Sequence, residues 1–449
     1  MSFVEKVYRK MPVPLQSVMI TVRGAQLVRQ RYGRAYRQHK AALPALLTQP
    51  YERLRDYQLR ELRELIGYAK ARSPYYARTL RDIDPDSIRS VEDLERLPVL
   101  EKEELRAHCE EIYTVPGREA IEAHTGGTTG KSLIVRYTRR DFQHRMAELD
   151  FFRETHGARH GMRRASFSGK HVVQEENPRV FWRTNRVLNQ RFYSTFHLAP
   201  ENLQRYIDDL NAFQPQVIDG YTSCIVDLCQ YVLSSGQRFA FAPVAIFPTS
   251  ETLYPHRREI LRQALGVEPR DQYASAEGAP LITECSRGEL HYQIQTGVIE
   301  ADAEGEALVT SFSTHGTPLI RYRVGDRVLF KEGRCSCGWN TPLVEGIEGR
   351  NIDYLISPTR GRIYASNIVS AVKDLPNSVI QTQFVQHSPT HVQVNVVVDP
   401  GRFGEGQKAI IVAEVKRRLG AEMGVEVVTV PVIERAASGK QRFIVNELV

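Results

Sequence analysis

Two groups of residues in this 449-residue chain have types and spacings that could do chemistry. The first is Thr125-Gly-Gly-Thr-Thr-Gly-Lys131. Gly126, Gly127 and Gly130 let the backbone take positive φ and come close to a ligand. Successive amide N–H groups then make a concave anion site, to which Thr125, Thr128, Thr129 and Lys131 add donors. That chemistry suits a triphosphate. The spacing is not that of a Walker A loop, because Thr125 stands where a glycine is required. Taken alone, the segment also reads as a plain flexible turn. The second group is Cys285-x5-His291 with Cys335-x-Cys337. Three sulfurs and one imidazole form a closed set typical of structural zinc. The two pairs lie 44 residues apart, so their spacing does not bring them together, and two unrelated pairs is the competing reading.

Four more segments gain meaning from their order. They are Tyr273-Ala-Ser-Ala-Glu-Gly278, Arg321-Tyr-Arg-Val-Gly-Asp326, Glu345-Gly-Ile-Glu-Gly-Arg350 and Arg435-Ala-Ala-Ser-Gly-Lys440. Singly, these read as a surface loop, a hairpin turn at Gly325-Asp326, an arginine after a glycine turn and a frayed basic tail. Together with the Gly/Thr loop they resemble, in order, the motifs of the adenylate-forming superfamily of acyl-CoA synthetases, peptide-synthetase adenylation domains and luciferases. His124, Leu-Ile-Gly-Tyr-Ala-Lys-Ala-Arg-Ser-Pro-Tyr-Tyr76 and Leu-Pro-Val-Leu-Glu-Lys102 resemble more narrowly its phenylacetate–CoA ligase and capsule-biosynthesis, CapK-like, branch.

The resemblance implies a site. Thr125 to Lys131, Ser250, Glu251, Tyr273, Ala274, Ser275, Asp326 and Arg350 are the expected ATP/AMP-binding residues. Tyr273 would pack on adenine. Glu277 would help hold Mg²⁺ between phosphates, a hard cation that takes few protein oxygens. Asp326 would accept from both ribose hydroxyls, as suits an acceptor-only group. Arg350 would offer fixed planar donors near ribose and phosphate. Lys440 would bridge the attacking carboxylate and the α-phosphate as charge develops. Lys440 and Glu277 are the expected catalytic residues. Tyr221, Thr222, Ser223 and Phe247 are the expected lining of the acid pocket, with Trp182 and Phe196 as further aromatic candidates. Similar cysteines recur in some members of this ligase branch, which favours zinc on Cys285, His291, Cys335 and Cys337. Two departures stand out: Ala276 replaces a usual hydroxyl residue, with Ser275 as its substitute, and the hinge position reads Asn351-Ile352-Asp353. Ser168-Gly-Lys170 repeats the lysine motif out of order and is discounted.

Elements must position these groups. Leu54, Leu59, Leu62, Leu65, Ile66 and Ala69 recur at helical spacing from Tyr51 to Arg72, and Ser73-Pro74 stops the helix. Ser90-Val-Glu-Asp93 resembles a capping box. Residues 132–137 read as a strand. Strands near 215–219 and 243–247, each followed by a helix, predict an α/β sheet with helices on its faces. Residues 290–330 read as a separate β-layer. Residues 352–449 read β-α-β-β-α-β, with the first helix over 365–372. The expected fold is α/β: a helical segment over 1–50, a large adenylation domain over 51–350, and a small mobile α+β domain over 351–449.

Composition narrows the class. Charged residues make up 25% and hydrophobic ones 42%, which is ordinary for a globular protein. The pI near 9.0 fits anionic substrates. The 60 basic and 53 acidic residues are interspersed without a long basic run, which argues against nucleic acid as partner. The early apolar stretch 13–27 is too short and too interrupted to span a bilayer. The basic first 40 residues fit either an amphipathic helix at a membrane surface or a helix docked on the body. Six cysteines are too few for a disulfide framework at this length, so a cytoplasmic protein is expected. Cys109, Cys224 and Cys229 read as core.

The function expected is an ATP-dependent ligase that makes an acyl-adenylate from a small carboxylic acid, aromatic acids included. Coenzyme A is the expected acceptor, and ATP, Mg²⁺ and structural Zn²⁺ the accompanying groups. One alternative is acyl transfer to an amine or hydroxyl in polysaccharide or secondary metabolism. Another, of a different class, is a non-catalytic nucleotide-binding regulator on the same fold. A homodimer is left open.

Overall fold

Helix formation begins where the apolar spacing does. The helix Tyr51–Arg72 buries Leu54, Leu62, Leu65, Ile66 and Ala69 on one face. Ser73, ahead of Pro74, leaves the helical region at φ −110° and ψ 120°. Its hydroxyl accepts from the Tyr76 amide and so caps the next helix, Pro74–Thr79. Asp93 accepts from the amides of Arg89 and Ser90 and closes the capping turn of the short helix Val91–Arg96. The computed structural model describes the chain apart from residues 1–6, 9, 125–133, 171, 174–177, 199, 276, 304, 349–353, 360, 365–367, 369–377, 399, 402, 435–440 and 449.

Contacts group the chain into two compact units. One joins Met1–Thr21, Gly161–Pro269 and Glu348–Val449, and the other Val22–His160 and Arg270–Ile347. The first unit holds a five-stranded sheet in the order Trp182–Asn185, Gln190–Ser194, Arg164–Ser168, Val217–Tyr221, Ala245–Thr249. Its inner pairings are parallel, and the edge strand Trp182–Asn185 is antiparallel. The helices Thr222–Ser234 and Pro255–Leu265 follow the last two strands, which is the expected strand–helix alternation. Ala165, Phe167, Ile218 and Ile246 from the sheet join Ile225, Leu228 and Leu261 from the helices in one core. A second sheet in this unit runs Gly424–Thr429, His391–Val398, Val379–Ser388, Ile444–Asn446. Val392, Val394 and Val396 alternate inward to meet Ile411, Val415 and Leu419 of the helix Glu405–Leu419. The helix expected over 365–372 falls almost wholly outside the described residues. So does the expected domain boundary at 351.

The other unit is built on a seven-stranded sheet. Its order is Gly297–Ala301, Glu306–Ser311, Tyr322–Lys331, Leu343–Glu348, Leu290–Tyr292, Ile282–Glu284, Gln272–Tyr273. This is the β-layer that the strand-rich pattern predicts. The helix Tyr51–Arg72 packs its apolar face into the same core, with Val298, Val309, Leu319 and Tyr322. The helices Arg34–Leu47 and Arg139–Thr155 pack on each other, the first burying Tyr36, Leu43 and Leu47. Among the described residues no helix is long and apolar enough to cross a membrane.

One glycine of the first unit is sterically fixed. Gly220 has φ +135°, and a Cβ there would lie 1.9 Å from the Phe167 carbonyl oxygen on the neighbouring strand. Backbone on a paired strand cannot move aside without breaking the ladder. Gly220→Ala should lower the thermal unfolding midpoint by about 5 °C or more in a calorimetric scan.

Candidate functional site

In the unit carrying the seven-stranded sheet, the strand Tyr322–Lys331 is not regular. Its pairing with Glu306–Ser311 shifts register between Glu306↔Arg327 and Leu308↔Arg323. Gly325 sits in this irregularity at φ +82°, the left-handed conformation that a bulge of this kind demands. Gly325-Asp326 is therefore a bulge within one long strand and not a hairpin turn. The bulge re-aims Asp326. Its carboxylate accepts a 2.7 Å hydrogen bond from the Tyr273 hydroxyl, 53 residues away. Both side chains are half-buried. Arg321, which opens this motif, takes φ +49°. It is held by Glu300 at 3.0 Å and by the carbonyls of Glu95 and Leu97.

The segment after Tyr273 is a tight loop. Ser275 Oγ accepts from the amides of Gly278 and Ala279 at 3.1 and 3.0 Å. The hydroxyl expected to replace the one missing at residue 276 is thus the acceptor that closes its own turn; residue 276 itself lies outside the described residues. Gly278 has φ +95°, and a Cβ there would meet Tyr137 Oη at 2.8 Å and Thr314 Cγ2 at 2.5 Å. Glu277 is 6% exposed. Among the described residues its carboxylate takes part in no hydrogen bond or ion pair. A buried carboxylate in that state is costly unless a cation meets it, which suits one oxygen ligand of a hard metal. Arg145, on the helix Arg139–Thr155, donates to the Ser275 carbonyl at 3.1 Å and lies 5.5 Å over the Tyr137 ring. Burial holds the Tyr137 hydroxyl above its ordinary range; the Arg145 charge pulls against this and Glu277 adds to it. Nothing in the sequence singled out Arg145, because its partner lies 130 residues away.

The other unit carries the remaining described candidates. Ser250 takes φ +68° just beyond the strand Ala245–Thr249. The Glu251 carboxylate accepts from the Ser223 amide at 2.6 Å and the Ser223 hydroxyl at 3.0 Å. It therefore caps the N-terminus of the helix Thr222–Ser234. Arg257 stands 3.8 Å away, and the amide of Gln441 donates at 3.2 Å. Thr222 and Ser223 are buried, and Tyr221 is half-buried. Phe247 is wholly enclosed in its strand. Thr125 to Lys131, Arg350 and Lys440 lie outside the described residues.

A metal-ligand cluster is also present. Ligand atoms of Cys285, His291, Cys335 and Cys337 all lie within 4.8 Å of one another. Cys285 Sγ and Cys335 Sγ are 3.7 Å apart, and Cys337 Sγ and His291 Nε2 are 3.5 Å apart. A tetrahedral zinc would require about 3.8 Å between sulfurs and about 3.5 Å from sulfur to nitrogen. The amides of Arg287, Cys337 and Trp339 each point at a sulfur two residues back, at 3.4 Å. His291 Nδ1 pairs with Thr341 Oγ1 at 3.0 Å, which fixes the ring with Nε2 toward the sulfurs. Burial keeps the His291 ring neutral, the state a ligand needs. It also raises the thiols, Cys337 to about 12 and Cys285 in the same direction, with the neighbouring cysteines adding to both. Three thiols this close become thiolates only when a cation offsets their charge. The two sequence pairs therefore meet.

A family model described as the CapK C-terminal domain matches residues 355–447. The chain is 33% identical to protein CapK of Staphylococcus aureus over 449 residues, covering 98% of this chain and 99% of that one. The chain belongs to the CapK family. It is also 26% identical to a phenylacetate–coenzyme A ligase of Thermus thermophilus over 418 residues, 87% of this chain and 88% of the relative. Among solved structures, 2-hydroxyisobutyryl-CoA ligase in its postadenylation state with R3-HIB-AMP matches with a TM-score of 0.74 at 19% identity, covering 90% of this chain and 92% of that one. This CapK-family chain thus has the fold of the adenylate-forming acyl-CoA ligases.

Two predictions follow from these geometries. Tyr273→Phe removes one hydrogen bond to Asp326 and should lower the thermal unfolding midpoint by about 2–4 °C in a melting scan. Cys335→Ser should lower metal content and the thermal midpoint together, because metal-binding free energy is folding free energy. Elemental analysis and a melting scan on the same preparation check it.

Proposed function

We propose that this CapK-family chain is an AMP-forming acid–thiol ligase. A carboxylate oxygen of the acid attacks the α-phosphorus of ATP, and the bond to the β-phosphate oxygen breaks to release pyrophosphate. The thiol of coenzyme A then attacks the acyl carbon of the adenylate, and AMP leaves. The observation that carries this reading is the Tyr273–Asp326 pair: an aromatic ring and a ribose-reading carboxylate joined at 2.7 Å. Family membership and the likeness to phenylacetate–CoA ligases support it.

In this reading Tyr273 offers its ring to adenine, and Asp326 accepts from the ribose hydroxyls. Ala274 and Ser275 shape the loop between them. Glu277 supplies one oxygen to Mg²⁺, whose charge, when bound, neutralises the phosphates. Arg145 holds the Ser275 carbonyl and so keeps that loop in place. The segment Thr125 to Lys131 cradles the β- and γ-phosphates, Arg350 serves ribose and phosphate, and Ser250 and Glu251 belong to the nucleotide-binding set. Those assignments rest on the motifs. Tyr221, Thr222 and Ser223 border the acid pocket, with the enclosed Phe247 in the neighbouring strand, and aromatic acids are among its candidates. Residues 351–449 act as the mobile module that brings Lys440 to the first half-reaction and withdraws it for the second. Zinc on Cys285, His291, Cys335 and Cys337 staples two loops; its shell is full, so it activates no water.

Lys440 gives the sharpest test. Lys440→Ala should depress acid-dependent ATP–pyrophosphate exchange by about a hundredfold or more. Thioester formation from supplied acyl-adenylate should stay near the parent rate. The parent should first be run across a panel of carboxylic acids. Exchange by no acid would remove the ligase reading. Near-parent exchange by the mutant would remove the role of Lys440.

A further inference from the structure

The helix Val13–Arg31 is docked the wrong way round. An amphipathic helix on a globular protein turns its apolar stripe inward and its polar face to water. Here three polar residues of its first half, Gln16, Ser17 and Thr21, face in. Gln16 is fully buried and meets the Arg183 guanidinium. Ser17 Oγ accepts from the Thr184 amide at 3.3 Å, and Thr21 Oγ1 accepts from the Arg186 amide at 3.2 Å. Leu15, Val18 and Val22, at i, i+3 and i+7, face out. At 52%, 56% and 56% exposure they are the three most exposed large apolar side chains among the described residues.

Charge is concentrated at the same place. Residues 1–40 contain nine Lys and Arg and one acid, whereas the other 409 contain 51 basic and 52 acidic residues. The positive excess of the chain therefore lies in its first 40 residues. The helix has no acid in its sequence. Lys10, Arg23, Arg29, Arg34 and Arg37 are exposed, and among the described residues none of them is ion-paired.

We infer that the outward face of the Val13–Arg31 helix docks on an anionic lipid bilayer. An apolar stripe with exposed cations beside it is the pattern of a helix that lies in the membrane interface. Its aliphatic side chains enter the headgroup boundary while the arginines meet lipid phosphates. Each cation near such a surface adds about fivefold to partitioning, and salt removes that gain. A second copy of this chain fits worse, because two strongly basic segments would face each other. A nucleic acid has no use for Leu15, Val18 and Val22. The helix lies on the surface and does not span it. This inference does not depend on the ligase reading.

Flotation of the full chain with vesicles tests it. One set is phosphatidylcholine alone, and the other contains about 30% phosphatidylglycerol. The protein should float with the anionic set at low salt, stay behind with the neutral set, and be stripped by about 0.5 M salt. The double variant V18S/V22S should partition about tenfold less. A melting scan and gel filtration of both proteins show whether the variant is folded and whether assembly has changed. Absence of flotation with the anionic vesicles overturns the inference. So does equal flotation of parent and variant, or a parent dimer that becomes a monomer in the variant, which would give the face to a second copy. If V18S/V22S does not fold, Arg23→Glu with Arg29→Glu makes the same comparison: retained flotation then overturns the inference.

Discussion

One backbone irregularity sets the position of the Asp326 carboxylate. Gly325, at φ +82° in the middle of a ten-residue strand, adds the bulge that turns Asp326 toward Tyr273. In a regular strand, alternate side chains point to fixed faces; here the register shifts by two residues, which keeps the faces of the residues that follow. Tyr322, Val324 and Val328, alternate residues on either side of the irregularity, pack on the core, while the Asp326 carboxylate between them meets the tyrosine. Arg321 is held on the near side by Glu300 and two carbonyls. The strand is thus fixed before and after the irregularity, which leaves the carboxylate little freedom.

The Tyr273–Gly278 loop is fixed by different means. Its own serine hydroxyl closes the turn, Gly278 admits the Tyr137 hydroxyl where any side chain would collide, and Arg145 reaches across from a helix to one carbonyl. These contacts set the backbone and leave the Glu277 carboxylate buried without a protein partner among the described residues. A buried carboxylate in that state gains from any cation that meets it, since the protein has already taken it out of water.

What could be read from the sequence divides along the range of the interactions. The helix Tyr51–Arg72 was legible because leucines at helical spacing and a Ser-Pro stop are local signals. The α/β alternation and the β-layer were legible for the same reason. The Cys285, His291, Cys335 and Cys337 cluster was legible by type, but its meeting depends on the pairing of Leu290–Tyr292 with Leu343–Glu348, which no spacing reveals. Arg145 and the partners of Glu251 were not legible, because each contact joins residues that are distant in sequence. The strand Ile444–Asn446 is three residues long, too short to show a period of two. The turn reading of Gly325-Asp326 failed because the same dipeptide serves turns and bulges alike. The basic character of the first 40 residues was legible as well, because nine Lys and Arg against one acid is a local count.

Departures from local rules fall where the motifs fall. Four non-glycine residues among those described have positive φ. Asn189 lies in a tight strand connection, and Gln214 ends a helix in the left-handed conformation, both ordinary uses. Ser250 and Arg321 have no such excuse, and each belongs to a motif assigned to the nucleotide. Strain of this kind persists only where surrounding contacts over-determine it. Around Arg321 they are the ion pair and the carbonyls; beside Ser250 they are the Glu251 cap and Arg257. The inverted Val13–Arg31 helix is a departure of another sort, since its cost is exposed apolar surface. A sequence that keeps local rules nearly everywhere and breaks them at a few linked places has a reason for each break. In the sheets the breaks fall at Ser250 and Arg321, where ion pairs and carbonyls hold the backbone, and on the N-terminal helix the break is the exposed stripe Leu15, Val18 and Val22.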